Sequence, residues 1–365
     1  MRRYIAVLLM LLGLLAVSVQ AAETGEIAQS IQGLDELQQA GEQWLPDVEL
    51  SEGISLDEGV RSILDTGSSE VFGVLRKGLR SGVLLLVVVM LCGVTEGLSD
   101  SAGAARTVDV VTITGALAVT AVAVTDVHSL IGMGRGALEG MATFSKLLLP
   151  VVTAAAAASG TPSSAAARQL ATMLFSDVLI TLITKLLLPL VYLYIAACVG
   201  YAAVGNEGLK RIGATLKWAV TGVLSGVLTL FVTYLAVSGA VAGAADATTV
   251  KAAKMTMSSM IPVVGGILSD AAETVLAGAG ILKNAVGIFG MLVILAMCIV
   301  PFLQLGIHYL SYKLAAALSA TVSGGRVTGL IDQISGAFGL VLGMTGATAL
   351  LLLISMVSAI QATAG

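Results

Sequence analysis

Apolar positions along this chain are grouped into long runs rather than into narrow amphipathic stripes. A run of about twenty apolar residues is the length that an α-helix needs to cross the hydrocarbon core of a bilayer. Six such runs are present, at residues 79–98, 107–125, 170–200, 218–242, 286–310 and 338–360. The pattern therefore predicts an all-α polytopic membrane protein with about six to eight transmembrane or re-entrant helices.

Two further apolar pieces, Leu147–Ser159 and Met260–Ala279, do not fit this template because the first is short and the second is interrupted. Broken segments of this kind often enter and leave the membrane on one side, where protein or a water-filled cavity satisfies the backbone. We therefore predict two re-entrant elements, with full crossings as the alternative. The helix-breaking residues are Pro150 in the first piece and Pro262, Gly265 and Gly266 in the second.

The two broken segments occupy matching places in a predicted internal repeat. Pro150 and Pro262 stand 112 residues apart in similar Pro-Val-Val contexts, and Pro189 and Pro301 in the following spans have the same separation. We infer two copies of one unit, with chance spacing as the alternative, and we predict helix kinks at Pro189 and Pro301. The inferred copies are residues 107–200 and 218–310.

The N-terminal part of the chain differs in charge from the rest. Residues 1–21 have a basic start, a short apolar run and small residues at the end, which is the layout of a signal peptide. Twelve acidic residues and a single base, Arg61, lie in residues 22–75, although the net charge of the whole chain is only −4. We predict that residues 22–78 are an exported, acidic, partly helical region whose second half is a surface helix or a solvated linker.

The remaining segments set the predicted topology. Residues 79–106 are predicted to be the first transmembrane helix and a loop, 201–217 a basic loop, and 311–365 a loop and the last span. With an exported N-terminal region, the basic loop is cytoplasmic only if the proline segments are re-entrant, since each copy then crosses twice in one orientation. Full crossings would give three per copy and invert the second copy.

Ionisable groups inside apolar segments are the candidate pathway residues, because a charge in hydrocarbon is costly and by default faces the bundle interior. Asp177 and Lys185 share a helix face but are about 12 Å apart along the axis, so we expect their partners on other helices. Asp270 and Glu273 lie in the second broken segment, where they would attract cations or hold a partner. Structural and solvated roles are the alternatives. The prolines and glycines of the broken segments complete the candidate pathway or gate.

The sequence contains no recognisable catalytic, metal or cofactor motif. His128 and His308 have no second ligand at metal-binding spacing, and Cys92, Cys198 and Cys298 lie inside apolar runs as expected for free thiols. Nucleotide-binding, nucleophile-elbow and zinc-protease motifs are missing. We expect a non-enzymatic protein with no cofactor, no metal and no nucleic-acid partner, in which an ion gradient or a separate ATPase drives any transport.

Five segments carry a family resemblance: Thr249–Lys254, Met260–Gly265, Leu268–Ala271, Ile281–Gly287 and Tyr312–Leu318. They resemble the stage III sporulation protein AE family of endospore-forming bacteria, and the similarity covers nearly the whole chain. This resemblance implies a multi-pass protein of the mother-cell membrane around the engulfed forespore, with its N-terminal region outside the cytoplasm.

The resemblance also implies a function. It indicates a permease-like component of the secretion-like channel complex between mother cell and forespore, required for spore development. The implied partners are membrane lipids, other proteins of the same sporulation operon including a separate ATPase, and a forespore partner. A homo-oligomer stays open, and a stand-alone ion-coupled secondary transporter is the alternative function.

Overall fold

The computed structural model describes residues 36–46, 56–101, 105–158, 174–237, 285–322 and 325–362. In these ranges six helices are long and apolar enough to cross a membrane. The all-α polytopic membrane fold is therefore confirmed. We label the helices α1 (Leu56–Ser101), α2 (Ala105–Ala158), α3 (Leu174–Val204), α4 (Glu207–Val237), α5 (Ala285–Ser319) and α6 (Arg326–Ala362).

Successive helices run in opposite directions along the bundle. Gly115 of α2 packs on Val327 of α6 near one end, where the short α1–α2, α3–α4 and α5–α6 connections lie. Gly290 of α5 packs on Leu148 of α2 near the opposite end, where α1 begins and α6 finishes. We call these the turn end and the far end. The alternation means that each labelled helix crosses the bundle once.

Helix α6 is the centre of the bundle. In its most apolar 18-residue window 94% of the residues are buried inside the protein, against 72% in α5 and only 17% in α4. Helices α5, α2 and α3 all pack on α6, and α1 packs along α5. The outer helices expose large apolar side chains such as Leu91 and Leu98 of α1 and Leu230 of α4. Such outward apolar surface is expected where a helix faces lipid.

The basic segment 201–217, predicted as a loop, is almost entirely helical, and that prediction is corrected. Only Gly205 and Asn206 lie between α3 and α4. Gly205 ends α3 with φ of +71°, a conformation that favours glycine, and Asn206 Oδ1 accepts a hydrogen bond from the Gly208 amide at 2.7 Å. The guanidinium of Arg326 lies against Gly205, where a Cβ atom would overlap it. Two residues thus cap both helices, so no longer loop is needed.

Helix α2 is much longer than the predicted span 107–125. It runs without interruption through Ala105–Ala158, so Pro150 lies inside it and the predicted separate re-entrant element at this position is wrong. Charged residues after position 125 end the apolar run but not the helix, because they find partners along α2 or on neighbouring helices. Arg135 Nε, for example, donates to Glu139 Oε1 at 2.8 Å one turn away.

Helix α1 also begins before its predicted span at 79–98. Residues 56–78, predicted as a surface helix or linker, continue the same helix and pack on α5. Gly59 lies against Leu292, where the missing Cβ allows the two helices to approach closely. The early part of α1 is therefore covered on one side by protein.

Part of the acidic N-terminal region packs at the far end of the bundle. Residues 36–42 form a short helix, and the side chains of Leu37 and Leu45 are buried in the core. Gly41 lies against the ring of Phe289 near the start of α5. This region is thereby attached to the membrane bundle. The predicted signal peptide, residues 1–21, lies outside the described residues.

The predicted internal repeat is only half covered by the described residues. In the first copy, 107–200, helices α2 and α3 each cross once, which is the number of crossings that we predicted for the re-entrant topology. In the second copy, 218–310, α4 covers residues 218–237 and α5 covers residues 285–310, but the part between them, residues 238–284, lies outside the described residues, so the duplication stays a prediction. The predicted site residues in that part are Pro262, Gly265, Gly266, Asp270 and Glu273.

Candidate functional site

Polar side chains interrupt the apolar interior where α2 meets α5. Tyr312 of α5 is fully buried, and its hydroxyl donates a hydrogen bond to Asp126 Oδ2 of α2 at 2.7 Å. His308 lies one turn earlier on α5 and is also buried. Its Nδ1 is 2.8 Å from the carbonyl oxygen of Gln304, and since a carbonyl only accepts, Nδ1 carries the hydrogen. We call Asp126, His308 and Tyr312 the interior polar cluster.

The central helix holds this cluster in place through Phe338. The Phe338 ring stands edge-on to Tyr312, with 5.0 Å between ring centroids, and edge-on to His308 at 6.4 Å. His308 and Tyr312 are four residues apart, so both project from the same face of α5. Gly339, next along α6, packs against Tyr309 and lets the two helices approach closely. The cluster is thus fixed by α2, α5 and α6 together.

The cluster places hydrogen-bonding side chains inside the apolar bundle. A half-buried carboxylate in an apolar bundle needs a donor, and the Tyr312 hydroxyl supplies one to Asp126. With Nδ1 of His308 donating to the backbone, Nε2 is the ring atom left to accept or bind a proton. No group of three metal-ligating side chains occurs among the described residues. The hydrogen-bonding atoms of the cluster can orient a polar molecule.

Two further polar contacts involve α6, a surface ion pair whose side chains are about half exposed and a hydrogen bond from the buried Tyr194. Lys313 Nζ pairs with Asp332 Oδ1 at 2.5 Å, and the hydroxyl of Tyr194 on α3 donates to the Gln333 carbonyl at 3.1 Å. Within the described structure, the Gln333 Oε1 and Ser335 Oγ atoms are buried without a hydrogen-bond partner. Buried polar atoms are normally hydrogen-bonded, so these two atoms are available for further hydrogen bonds.

The sequence-predicted residue Asp177 is not part of the interior polar cluster. It forms an ion pair with Lys146 of α2, with 3.0 Å between Nζ and Oδ1. The partner is on another helix, as expected from the sequence. Both side chains are more than half exposed, so the pair is a surface contact and is separate from the interior polar cluster.

Neutralising this surface pair is expected to have a small effect. The substitution Asp177→Asn should change the free energy of unfolding by less than about 1 kcal/mol, because exposed ion pairs contribute little. Thermal unfolding in detergent measures this, with Arg135→Gln in the exposed Arg135–Glu139 pair as the matched control. A loss of stability much greater than that of the control would place Asp177 in a buried network.

The predicted residues Lys185 and Pro189 lie in or next to a distorted part of α3. Lys185 is exposed and lies in the π-helical segment Ile183–Leu187, which is closed by a hydrogen bond from the Leu188 amide to the Ile183 carbonyl. Pro189 follows directly, and a proline ring clashes with the carbonyl four residues earlier in a regular α-helix. The wider turn relieves that clash. Pro301 lies inside α5, and the predicted kinks at both prolines stay predictions.

Asp126 and Tyr312 are both missing from the sequence-predicted site. Asp126 stands one residue past the predicted span 107–125. The sequence prediction for His308 is only that it does not bind a metal. A usable signal existed in α2, where small and apolar residues continue at helical spacing beyond position 125. The buried residues that form this stripe are Val127, Leu130, Ile131, Gly134, Ala137, Leu138 and Met141.

A central buried helix, five surrounding apolar helices and an interior polar cluster define a polytopic helical membrane protein. A family model described as stage III sporulation protein AE matches residues 49–364. The chain therefore belongs to the stage III sporulation protein AE family, and the resemblance seen in its sequence is confirmed. Membership supports a role in sporulation and a multi-pass membrane location.

One relative shows the extent of the similarity. Stage III sporulation protein AE of Bacillus subtilis (strain 168) is 26% identical to this chain over 262 residues. The match covers 72% of this chain and 65% of that relative, so the chain spans less than two thirds of the relative's length. No solved structure matches the chain.

Proposed function

We propose that this protein is a non-enzymatic, permease-like component of a secretion-like channel complex that joins mother cell and forespore during spore development. The supporting observation is the hydrogen bond between Tyr312 and Asp126 inside an apolar helical bundle. A carboxylate inside an apolar bundle is costly to bury, and by default it is a candidate for the path of a proton or a polar cargo. The membrane in this proposal is the mother-cell membrane around the forespore.

The acidic N-terminal region supports a role within a complex. Residues 22–75 carry twelve acidic residues and one base, and part of that region is packed onto the far end of the bundle through Leu37 and Leu45. An acidic surface held at one end of a membrane bundle suits docking to a basic partner outside the cytoplasm. The proposed partners are other proteins of the same sporulation operon and a forespore protein. The sequence has no nucleotide-binding motif, so a separate ATPase would supply energy.

Purification from sporulating cells tests the proposal. A tagged chain, extracted in mild detergent, is expected to co-purify with a stable multiprotein assembly whose composition and stoichiometry are then measured. Asp126→Asn is expected to leave assembly intact but to lower spore formation, while Asp177→Asn at equal protein level should leave spore formation unchanged. A lone protein that performs ion-coupled uptake after reconstitution would instead establish the stand-alone transporter.

A further inference from the structure

The exposed face of α2 changes its chemistry at Asp126. Before this residue the exposed large side chains are apolar, as at Leu117 and Val124. From His128 to Lys146, by contrast, no large apolar side chain of α2 is exposed. The exposed positions in this stretch are glycines and polar residues. We call them the polar face of α2, and they are His128, Ser129, Gly132, Arg135, Gly136, Glu139, Thr143 and Lys146.

The polar face begins at the level of Lys217 on α4. The Lys217 ammonium group lies against Gly336 of α6, and Gly134 of α2 packs on Val341, five residues further along α6. Helices α2 and α6 run in the same direction with the same rise per residue. Gly336 is therefore level with the residue five positions before Gly134, which is Ser129. Ser129 and Lys217 thus lie at about the same height in the bundle.

The polar face ends at the level of Phe231 on α4. The Phe231 ring packs on Phe175 of α3, with 5.0 Å between the ring centroids. Asp177, two residues further along α3, pairs with Lys146 of α2. The whole polar face is therefore level with the stretch of α4 between Lys217 and Phe231.

This level of the bundle is at membrane depth. Residues 218–237 of α4 include no charged side chain, and Leu230 and Val232 are exposed there. That stretch has about the length needed to cross the hydrocarbon core. At the same depth the polar face exposes ionised groups, among them Arg135 and Glu139. Ionised groups are costly in lipid, and at this depth they face protein or a water-filled cavity.

Water fits the polar face better than lipid or an apolar helix does. Arg135 pairs with Glu139 and Lys146 pairs with Asp177, and more than half of each of these four side chains is exposed. An apolar neighbour would leave the exposed parts of these groups without hydrogen bonds, which costs free energy. Between the two pairs, no described atom stands within 4 Å of the place that a Gly136 Cβ would occupy. The face is thus open as well as polar.

We propose that the polar face of α2 lines a water-filled path through the membrane for hydrophilic solutes. The path borders the interior polar cluster, because the half-buried Asp126 stands directly before this face on α2. The two ion pairs supply two positive and two negative charges, so the path does not select solutes by the sign of their charge. This inference rests on the proposed channel function and identifies residues that line its path.

Cysteine labelling in membranes of sporulating cells tests the path. Ser129→Cys, Gly136→Cys and Thr143→Cys place a thiol near the beginning, middle and end of the polar face. Leu230→Cys is the matched control, since Leu230 is exposed on α4 at the same depth. Only the thiolate reacts, and it forms in water, so the three α2 thiols should react with a charged methanethiosulfonate at least about tenfold faster than the control.

Two further measurements complete the test. The unsubstituted chain gives the background from its native thiols, and the membranes are opened so that the reagent reaches both sides. A cationic and an anionic reagent, each normalised to its rate with a small thiol in solution, are expected to label the polar face equally fast. A consistent preference for one sign of charge at all three positions would overturn the proposed path for solutes of either charge.

Two other outcomes also overturn the proposal. Fast labelling of Leu230→Cys would place this level of both helices in water, outside the hydrocarbon. Slow labelling at all three α2 positions would show that the polar face is covered, which is also the result if another segment of the chain or a second copy packs on it.

A failure of this inference can be told apart from a failure of the proposed function. Slow labelling in a chain that still co-purifies with a multiprotein assembly overturns the path along α2 and leaves the channel component in place. Fast labelling in a chain that performs ion-coupled uptake by itself supports the path and overturns the channel complex.

Discussion

Replacing Phe338 by alanine is expected to lower the free energy of unfolding by about 3–5 kcal/mol, the usual cost of deleting a buried aromatic side chain. Phe338 is fully buried in the central helix, and its ring supports both Tyr312 and His308. Its removal leaves a cavity at the junction of α2, α5 and α6 and allows the interior polar cluster to shift. Reversible unfolding in mixed detergent, followed by circular dichroism, measures the loss.

A second phenylalanine provides the matched control for this prediction. Phe72 on α1 is 80% exposed, so Phe72→Ala deletes the same atoms from the surface and should change stability by less than about 0.5 kcal/mol. Equal losses from the two substitutions would contradict the assignment of α6 as the core of the bundle.

The substitution Tyr312→Phe is expected to lower the free energy of unfolding by about 1–3 kcal/mol, because the interior carboxylate of Asp126 loses its donor. Asp126→Ala removes the other partner, and the double variant should be more stable than the sum of the two losses predicts. The three variants and wild type form a double-mutant cycle, with the same unfolding measurement giving the coupling energy.

An exposed pair calibrates this cycle. Arg135→Gln and Glu139→Gln in α2 break an ion pair of similar length at the surface, where the coupling should stay below about 0.5 kcal/mol. If the effects of Tyr312→Phe and Asp126→Ala are simply additive, their hydrogen bond does not hold α5 to α2, and the interior polar cluster loses its structural basis.

The approximate place of each long helix in the described ranges follows from sequence, because the apolar length needed to cross a bilayer is a local property. The predicted span 286–310, for example, lies within α5 and starts beside its first residue. Helix lengths are less predictable, since α2 continues through charged positions that a hydropathy criterion reads as a boundary. The α3–α4 junction was readable, because Gly205-Asn206 combines a glycine C-cap with an asparagine N-cap.

The interior polar cluster is much harder to predict from a single sequence. Asp126 and Tyr312 are 186 residues apart in the chain, and only the packing of α2 on α5 brings them together. The ion pair between Lys146 and Asp177 depends in the same way on two separate helices. Local patterns show which side chains are expensive to bury, but the partner of each is a property of the assembled bundle.

Helix α6 is the centre of the bundle and follows α1 to α5 in the chain, which has a consequence for biogenesis. Translation delivers α1 to α5 to the membrane before residues 326–362 leave the ribosome. Helices α1 to α5 are therefore inserted before α6. Until α6 arrives, lipid or the other helices fill the space that it later occupies. Closure of the bundle then follows the insertion of α1 to α5, and a premature stop before residue 326 removes the central helix and leaves the helices that surround it.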